Sequence, residues 1–303
     1  MAGVGSLGIP EHVLTQRDDR RRAMSALYIN LLRGAALFSV GIVVMIIGAI
    51  VWKGAPAISW GFLSSPPVEG MTSGGIWPMI RGSALLMLGT LLMVLPVGIL
   101  GGIWLAYYAA QGRFASFVRA CVTSLAGTPS IIYGLFGFAV FVLMLGLKQS
   151  LLAGWLTLSI MSIPVVAITT ELALRSVPDS FGEAATALGM SRWKSIWKVL
   201  LPAALPGVMT GLVLAAGRAI GEAPPILLTA GLYYSTEKLT MDLSTPLKPV
   251  ANLPYHLAEG YRQGGIIPEK IIWGTCLTLM LFVLLINLGA ILVRARARAK
   301  QRW

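Results

Sequence analysis

Phe181–Pro202 reads FGEAATALGMSRWKSIWKVLLP and stands between two apolar stretches, each long enough to cross a bilayer. Gly182–Leu188 is built of helix formers. Ser180 is placed to cap that helix, with Glu183 at the third helical position to complete a capping box. Gly189 supplies the left-handed residue that ends it. A second helix is expected from Ser191, where Trp193, Ile196, Trp197 and Leu200 alternate with Arg192, Lys194 and Lys198, a composition suited to the membrane–water interface. Pro202 and Pro206 are then expected to break the chain before the next span. A short helix held away from the membrane by a flanking turn has the shape of an element that docks into a partner's groove. An ordinary amphipathic connecting loop fits the same residues equally well, so two readings stand side by side.

Composition places this loop in an all-α polytopic membrane protein. The 303 residues are 56% hydrophobic and 12% charged, whereas soluble domains carry roughly 25% charged residues. Six stretches reach the length of a spanning helix, near Ala35–Trp52, Ser83–Tyr107, Pro129–Leu147, Leu152–Thr170, Pro206–Gly231 and Ile271–Val293. The third has room to begin near Phe114, with Thr128-Pro129 as an internal kink. Residues 1–34 then form a cytoplasmic N-terminal arm and residues 35–303 a six-span domain. The charged run Arg17-Asp18-Asp19-Arg20-Arg21-Arg22 precedes an apolar segment long enough to span, so the N-terminus reads as a retained anchor and not a cleaved signal.

The net charge of +12 raises nucleic acid as a partner, but the basic residues sit at the ends of apolar segments, as topology determinants do. Arg20, Arg21 and Arg22, the loop residues Arg192, Lys194 and Lys198, and the tail residues Arg294, Arg296 and Arg298 all fall on one side. Fewer lie on the other, among them Lys53, Arg81, Lys148, Lys238 and Lys248. Both termini are therefore cytoplasmic. The outer connections Lys53–Gly82 and Leu232–Lys270 are rich in Pro, Gly and aromatic residues and read as ordered caps. His256, alone in the second, has no assigned role. Cys121 and Cys276 form neither a CxxC pair nor a cluster with His, which supports no metal site and no disulfide framework.

Arg218 and Glu222 lie within the apolar stretch from Pro206 to Gly231. A charge at the centre of a membrane helix costs roughly 2.5–3.5 kcal/mol, so ionisable residues there mark substrate paths by default. The i,i+4 spacing puts the two within reach of an ion pair, and a guanidinium offers several coplanar donors to an oxyanion. A structural tie between helices is the competing reading. Pro224 and Pro225 remove backbone donors and favour a helix kink just after the pair. Gly207/Gly211 and Gly217/Gly221 are spaced for close helix approach.

Glu183-Ala184-Ala185, Gly189, Val199 and Leu201-Pro202 resemble the EAA loop of ABC importer permeases, with Val199 where the usual pattern has Ile. Gly74-Gly75-Ile76-Trp77-Pro78, Thr128-Pro129-Ser130-Ile131-Ile132-Tyr133-Gly134-Leu135 and the stretch RAIGEAPPILLTAG over 218–231 narrow the match. From about Gly74 onward the chain resembles the A-type permease subunits of the bacterial phosphate-specific (Pst) ABC transporters; Arg81 is a departure, standing where a small or apolar residue is expected. The resemblance implies a type I importer permease (MetI-like) core in the bacterial cytoplasmic (inner) membrane. It implies that Glu183, Ala184, Ala185 and Gly189 form the coupling element for an ATPase, with Leu201 and Pro202 steering the chain back to the membrane, and that Arg218 and Glu222 line the phosphate path. Implied partners are a homologous second permease subunit, two ATP-binding subunits and an extracytoplasmic phosphate-binding protein. The sequence contains no Gly-Lys-Ser or Gly-Lys-Thr, hence no P-loop, so ATP is expected on the partner subunits and no cofactor or catalytic residue on this chain. A permease for sulfate or molybdate shares the EAA loop, and a secondary transporter or a membrane scaffold remain the further alternatives.

Overall fold

The computed structural model describes residues 11–109, 112–232, 244–262 and 265–299, and it divides into two units, Met1–Lys53 and Gly54–Trp303. The first is the helix α1 (Glu11–Gly54), which runs without interruption past the expected boundary at Gly34. Its described apolar side chains, Leu37, Phe38 and Met45 among them, are exposed over the whole spanning window. Arg17, Arg20, Arg21, Arg22 and Arg298 are described only as helical backbone, and Lys238, Lys300 and Arg302 lie outside the described residues.

In the second unit, α2 (Trp77–Tyr108), α5 (Leu151–Arg175), α7 (Arg192–Gly221) and α10 (Glu269–Ala299) contain spans, with α3 (Arg113–Ala126) and α4 (Ser130–Met144) between α2 and α5. Among the described residues five helices are long and apolar enough to cross a membrane, or six if α3 and α4 count as one. Those two are bent by 101°, so the kink expected at Thr128-Pro129 is a corner. Gly127 ends α3, and Pro129, extended at φ −58°, ψ 139°, opens α4. The Tyr133 hydroxyl donates to the Leu125 carbonyl at 2.6 Å, satisfying one of the acceptors that the end of α3 leaves free.

The fifth span begins earlier and ends earlier than its apolar run. Pro202 and Pro206, expected to break the chain, lie inside α7. A π turn over Ile196–Leu200 precedes Pro202, with the Leu201 amide donating to Ile196 O. In an apolar medium helix is the way to satisfy the remaining backbone groups, so the chain absorbs the prolines by local unwinding. Gly207 and Gly211 face α5: a Cβ on Gly211 would stand 1.9 Å from Thr169 Oγ1 and one on Gly207 2.5 Å from Ala173 Cβ. This pair serves the chain's own packing. Gly221 has nothing within 4 Å of a built Cβ.

The outer connections are ordered where described. β1 (Pro67–Val68) pairs antiparallel with β2 (Ser73–Gly74), and β3 (Gly231–Leu232) pairs parallel with β4 (Val250–Ala251). Phe62, Met71 and Ile76 of the first connection share an apolar cluster with Ala251, Leu253 and Ile267 of the second. The Leu253 amide donates to Ser83 Oγ at 2.9 Å, fastening the cap to α2.

His256, on the cap helix α9 (Leu253–Arg262), is 2% exposed, with its Nδ1 3.3 Å from Thr275 Oγ1. Burial pushes its pKa down to about 4 from the ordinary 6.5. The unfolded cap takes up a proton below 6.5 that the folded cap refuses until about 4, so stability present above 6.5 is lost as pH falls through that window. The melting temperature of the purified protein is expected to drop between pH 6.5 and 4, and His256→Gln to flatten the drop. Equal slopes for both proteins would show that the imidazole carries no such linkage.

Candidate functional site: a charge pair at a helix break

Arg218 lies in the last turn of α7, where a cation complements the helix dipole. The helix stops at Gly221, and Glu222 is extended at φ −81°, ψ 130°. Pro224 and Pro225 then open a new short helix, α8 (Pro224–Thr229), in first-turn positions where proline loses no helical bond. The expected kink is thus a full break, and the pair sits at its edge. Arg218 is therefore near the end of a helix although it is central in the apolar sequence.

Arg218 Nε donates to Glu222 Oε1 at 3.3 Å, and the side chains retain 29% and 16% of their surface. Only one corner of the guanidinium is engaged. Among the described residues, its terminal Nη groups have no hydrogen-bond partner. A fork of four N–H donors is left available for an acceptor with several oxygens.

The Thr128–Leu135 motif closes against the break. A Cβ on Gly134 would meet Pro225 Cα at 2.9 Å and Pro224 O at 3.1 Å, an approach that only glycine permits. Tyr133 beside it is buried with Ala219, Ile226 and Met161 and lies within electrostatic reach of Arg218. Motif reading alone had not singled out Tyr133 as part of the site. On the other side, an apolar groove of about 740 Å³ runs from Gly221 along Cys276, Val283, Asn287 and Ile291.

The loop residues gather at the opposite end of α7. The short helix α6 (Asp179–Ala187) starts one residue before Ser180, behind Pro178, so Ser180 lies within the first turn and caps nothing. Its C-terminus follows the expected geometry: Gly189 has φ +72°. The Gly189 amide donates to Thr186 O at 2.9 Å and the Met190 amide to Ala185 O at 3.1 Å, the two bonds of a Schellman motif. Ala185 is 3% exposed and anchors α6 to the body; Glu183, Ala184, Leu188 and Gly189 face outward. Arg192 stacks over the Tyr108 ring at 4.9 Å and donates to the Tyr107 carbonyl. Leu201 and Pro202 lie within α7 and make no turn. The 30 residues of that helix, about 45 Å of continuous rod, connect the loop to Arg218.

Glu171 escaped the sequence reading. It is 7% exposed and accepts from Arg119 Nη1 and, at 2.9 Å, from Arg175 Nε. The i,i+4 spacing to Arg175 was visible in the sequence; the link to Arg119 depends on how α3 folds back.

A family model described as "Binding-protein-dependent transport system inner membrane component" matches residues 98–300. The chain is 34% identical over 258 residues to the probable ABC transporter permease protein YqgI of Bacillus subtilis, covering 82% of this chain and 87% of that one. It is 32% identical over 282 residues to the phosphate transport system permease protein PstA of Yersinia pestis, covering 92% of each. Among solved structures, a chain of a bacterial ABC transporter involved in the import of the acidic polysaccharide alginate aligns with TM-score 0.63 at 17% identity, over 93% of this chain and 98% of that one. An inward-facing MetNI methionine ABC transporter chain aligns with TM-score 0.56 at 21% identity, over 75% and 98%. These two likenesses speak to the fold.

Proposed function

The chain belongs to the binding-protein-dependent transport system inner membrane components, and on that premise we propose that it is the permease subunit through which an ATP-driven importer moves inorganic phosphate into the cytoplasm. A permease of this family works with a second permease subunit, ATPase subunits and a substrate-binding protein. In the present reading the second permease is a homologue, the ATPases are two, and the binding protein delivers phosphate. The relatives named for phosphate transport support the cargo.

The observation that carries the reading is the guanidinium of Arg218, pinned at Nε by Glu222 and without a partner at its terminal nitrogens among the described residues. A phosphate ion entering there meets donors in a plane and exchanges its hydration for charge-assisted bonds. Glu222 favours phosphate over sulfate. Near neutral pH phosphate still carries a proton to donate to a carboxylate, whereas sulfate carries none and leaves the carboxylate facing an anion unpaired. At the other end of α7, an ATPase closing on α6 moves a rod that ends at the pair, so one two-state element links hydrolysis to the path.

Uptake of labelled phosphate into membrane vesicles loaded with ATP and supplied with the binding protein tests this. Uptake is expected to require ATP and to persist in a large excess of sulfate or molybdate. Equal competition by sulfate or molybdate would transfer the assignment to another oxyanion. Uptake independent of ATP would make the chain a secondary transporter.

A further inference from the structure

A second basic site lies at the cytoplasmic end of the bundle, apart from the pair at the helix break. Gly112, Arg113, Ser116 and Arg119 of the α3 segment and Arg175 at the end of α5 border an open hollow of about 750 Å³. Two of its cations are locked in place. Glu171 accepts from Arg119 Nη1 and Arg175 Nε, and both guanidiniums also donate to the carbonyl of Leu105, at 2.9 and 3.3 Å. That carbonyl belongs to the π turn that ends α2, so helix termination supplies the second clamp. Each guanidinium spends two of its N–H groups this way and keeps the others.

Charge is left over. Glu171 is a single buried carboxylate set against two arginines, and Arg113 on the rim has no hydrogen-bond or ion-pair partner among the described residues. The N-terminus of α3 adds to this, because its N-cap, Gly112, lines the hollow and offers no side-chain acceptor to the first amides. A hollow with positive charge in excess, donors from three arginines and a serine hydroxyl calls for a compact anion with several oxygens.

We propose that this hollow binds a phosphate-type oxyanion on the cytoplasmic side. The proposal rests on the positive-inside orientation and not on the identity of the transported ion. Two sources present the same chemistry there. One is free inorganic phosphate; the other is the headgroup of an anionic phospholipid, since Phe114 and Phe117 on the same helix are 69% and 65% exposed.

The test uses the full chain purified by an affinity tag in the complex it forms, carrying Arg218→Ala so that the site at the helix break is removed. Samples with and without Arg113→Gln are placed in nanodiscs of phosphatidylcholine alone or with phosphatidylglycerol. Arg113 has no partner to lose among the described residues, so this variant is expected to assemble at parental yield. Labelled inorganic phosphate binding is read in the first discs and retained phosphatidylglycerol, by native mass spectrometry, in the second. Loss of one charged contact is expected to weaken the ligand about tenfold. A drop in phosphate binding identifies the free ion; a drop in lipid retention alone identifies the headgroup. Arg113→Lys restores part of either. If phosphate binding is absent from or equal in both samples and lipid retention is identical in both, the proposal is overturned, whatever the transported ion proves to be.

Discussion

Arg218→Ala is expected to lower ATP-driven phosphate uptake in membrane vesicles about a hundredfold, with the complex still assembled, because at least two charge-assisted hydrogen bonds to the passing ion are lost. Assembly survives because, among the described residues, the side chain is bound only through Glu222, at 3.3 Å, and keeps 29% of its surface. Arg218→Lys retains the charge without the planar fork and falls between parent and alanine. Glu222→Ala is expected to lose uptake too, since nothing then holds the guanidinium at the break. Glu222→Gln separates the roles of the carboxylate: it retains shape, removes the acceptor charge, and should let sulfate compete where it fails against the parent. Parental uptake rates in both alanine variants would remove the pair from the substrate path and leave it a structural tie between turns.

Leu188→Asp is expected to strip the ATPase from the complex. Leu188 closes α6 and is 76% exposed, an apolar side chain held outward by the left-handed Gly189. Burying such a side chain in a partner's groove yields about 1.5–3 kcal/mol, and a carboxylate in its place adds an unpaired buried charge. Together these predict that ATPase retained through purification falls more than about tenfold. Glu183→Ala should do less, since an exposed charge contributes under about 1 kcal/mol. Gly189→Val acts by another route, forcing a β-branched residue to φ +72°, a conformation that costs such residues about 1–2 kcal/mol. Retention of the ATPase at parental yield by Leu188→Asp would show that α6 is not the docking element.

The two sites differ in how far they can be read from sequence. Arg218 and Glu222 are four residues apart, and the geometry of a single helical turn brings them together. Gly189 is equally local, since its left-handed conformation and the two bonds around it involve only the preceding turn. Ser180 misled because Pro178 starts the helix earlier than the capping pattern implies. Pro202 and Pro206 misled because rules drawn from water-soluble helices overlook a medium in which no water takes over the freed carbonyls. Glu171 and Tyr133 stayed hidden for a different reason. Their partners, Arg119 for Glu171 and Ala219 and Ile226 for Tyr133, belong to other helices, and the 101° corner between α3 and α4 sets part of that arrangement.

Composition and spacing by themselves determined that this chain spans a membrane several times, which end faces the cytoplasm, and which i,i+4 charges meet. Each depends on local hydrophobicity, charge placement or one helical turn, quantities written directly in neighbouring residues. Only the tertiary structure decided that α7 runs unbroken from the cytoplasmic loop to the charge pair, that Glu222 lies at a break, and that three arginines from two helices border one hollow. Those outcomes depend on which distant surfaces fit within van der Waals range, as Gly134 does against Pro225 and Gly211 against Thr169, and such fit is a property of the packed helices together.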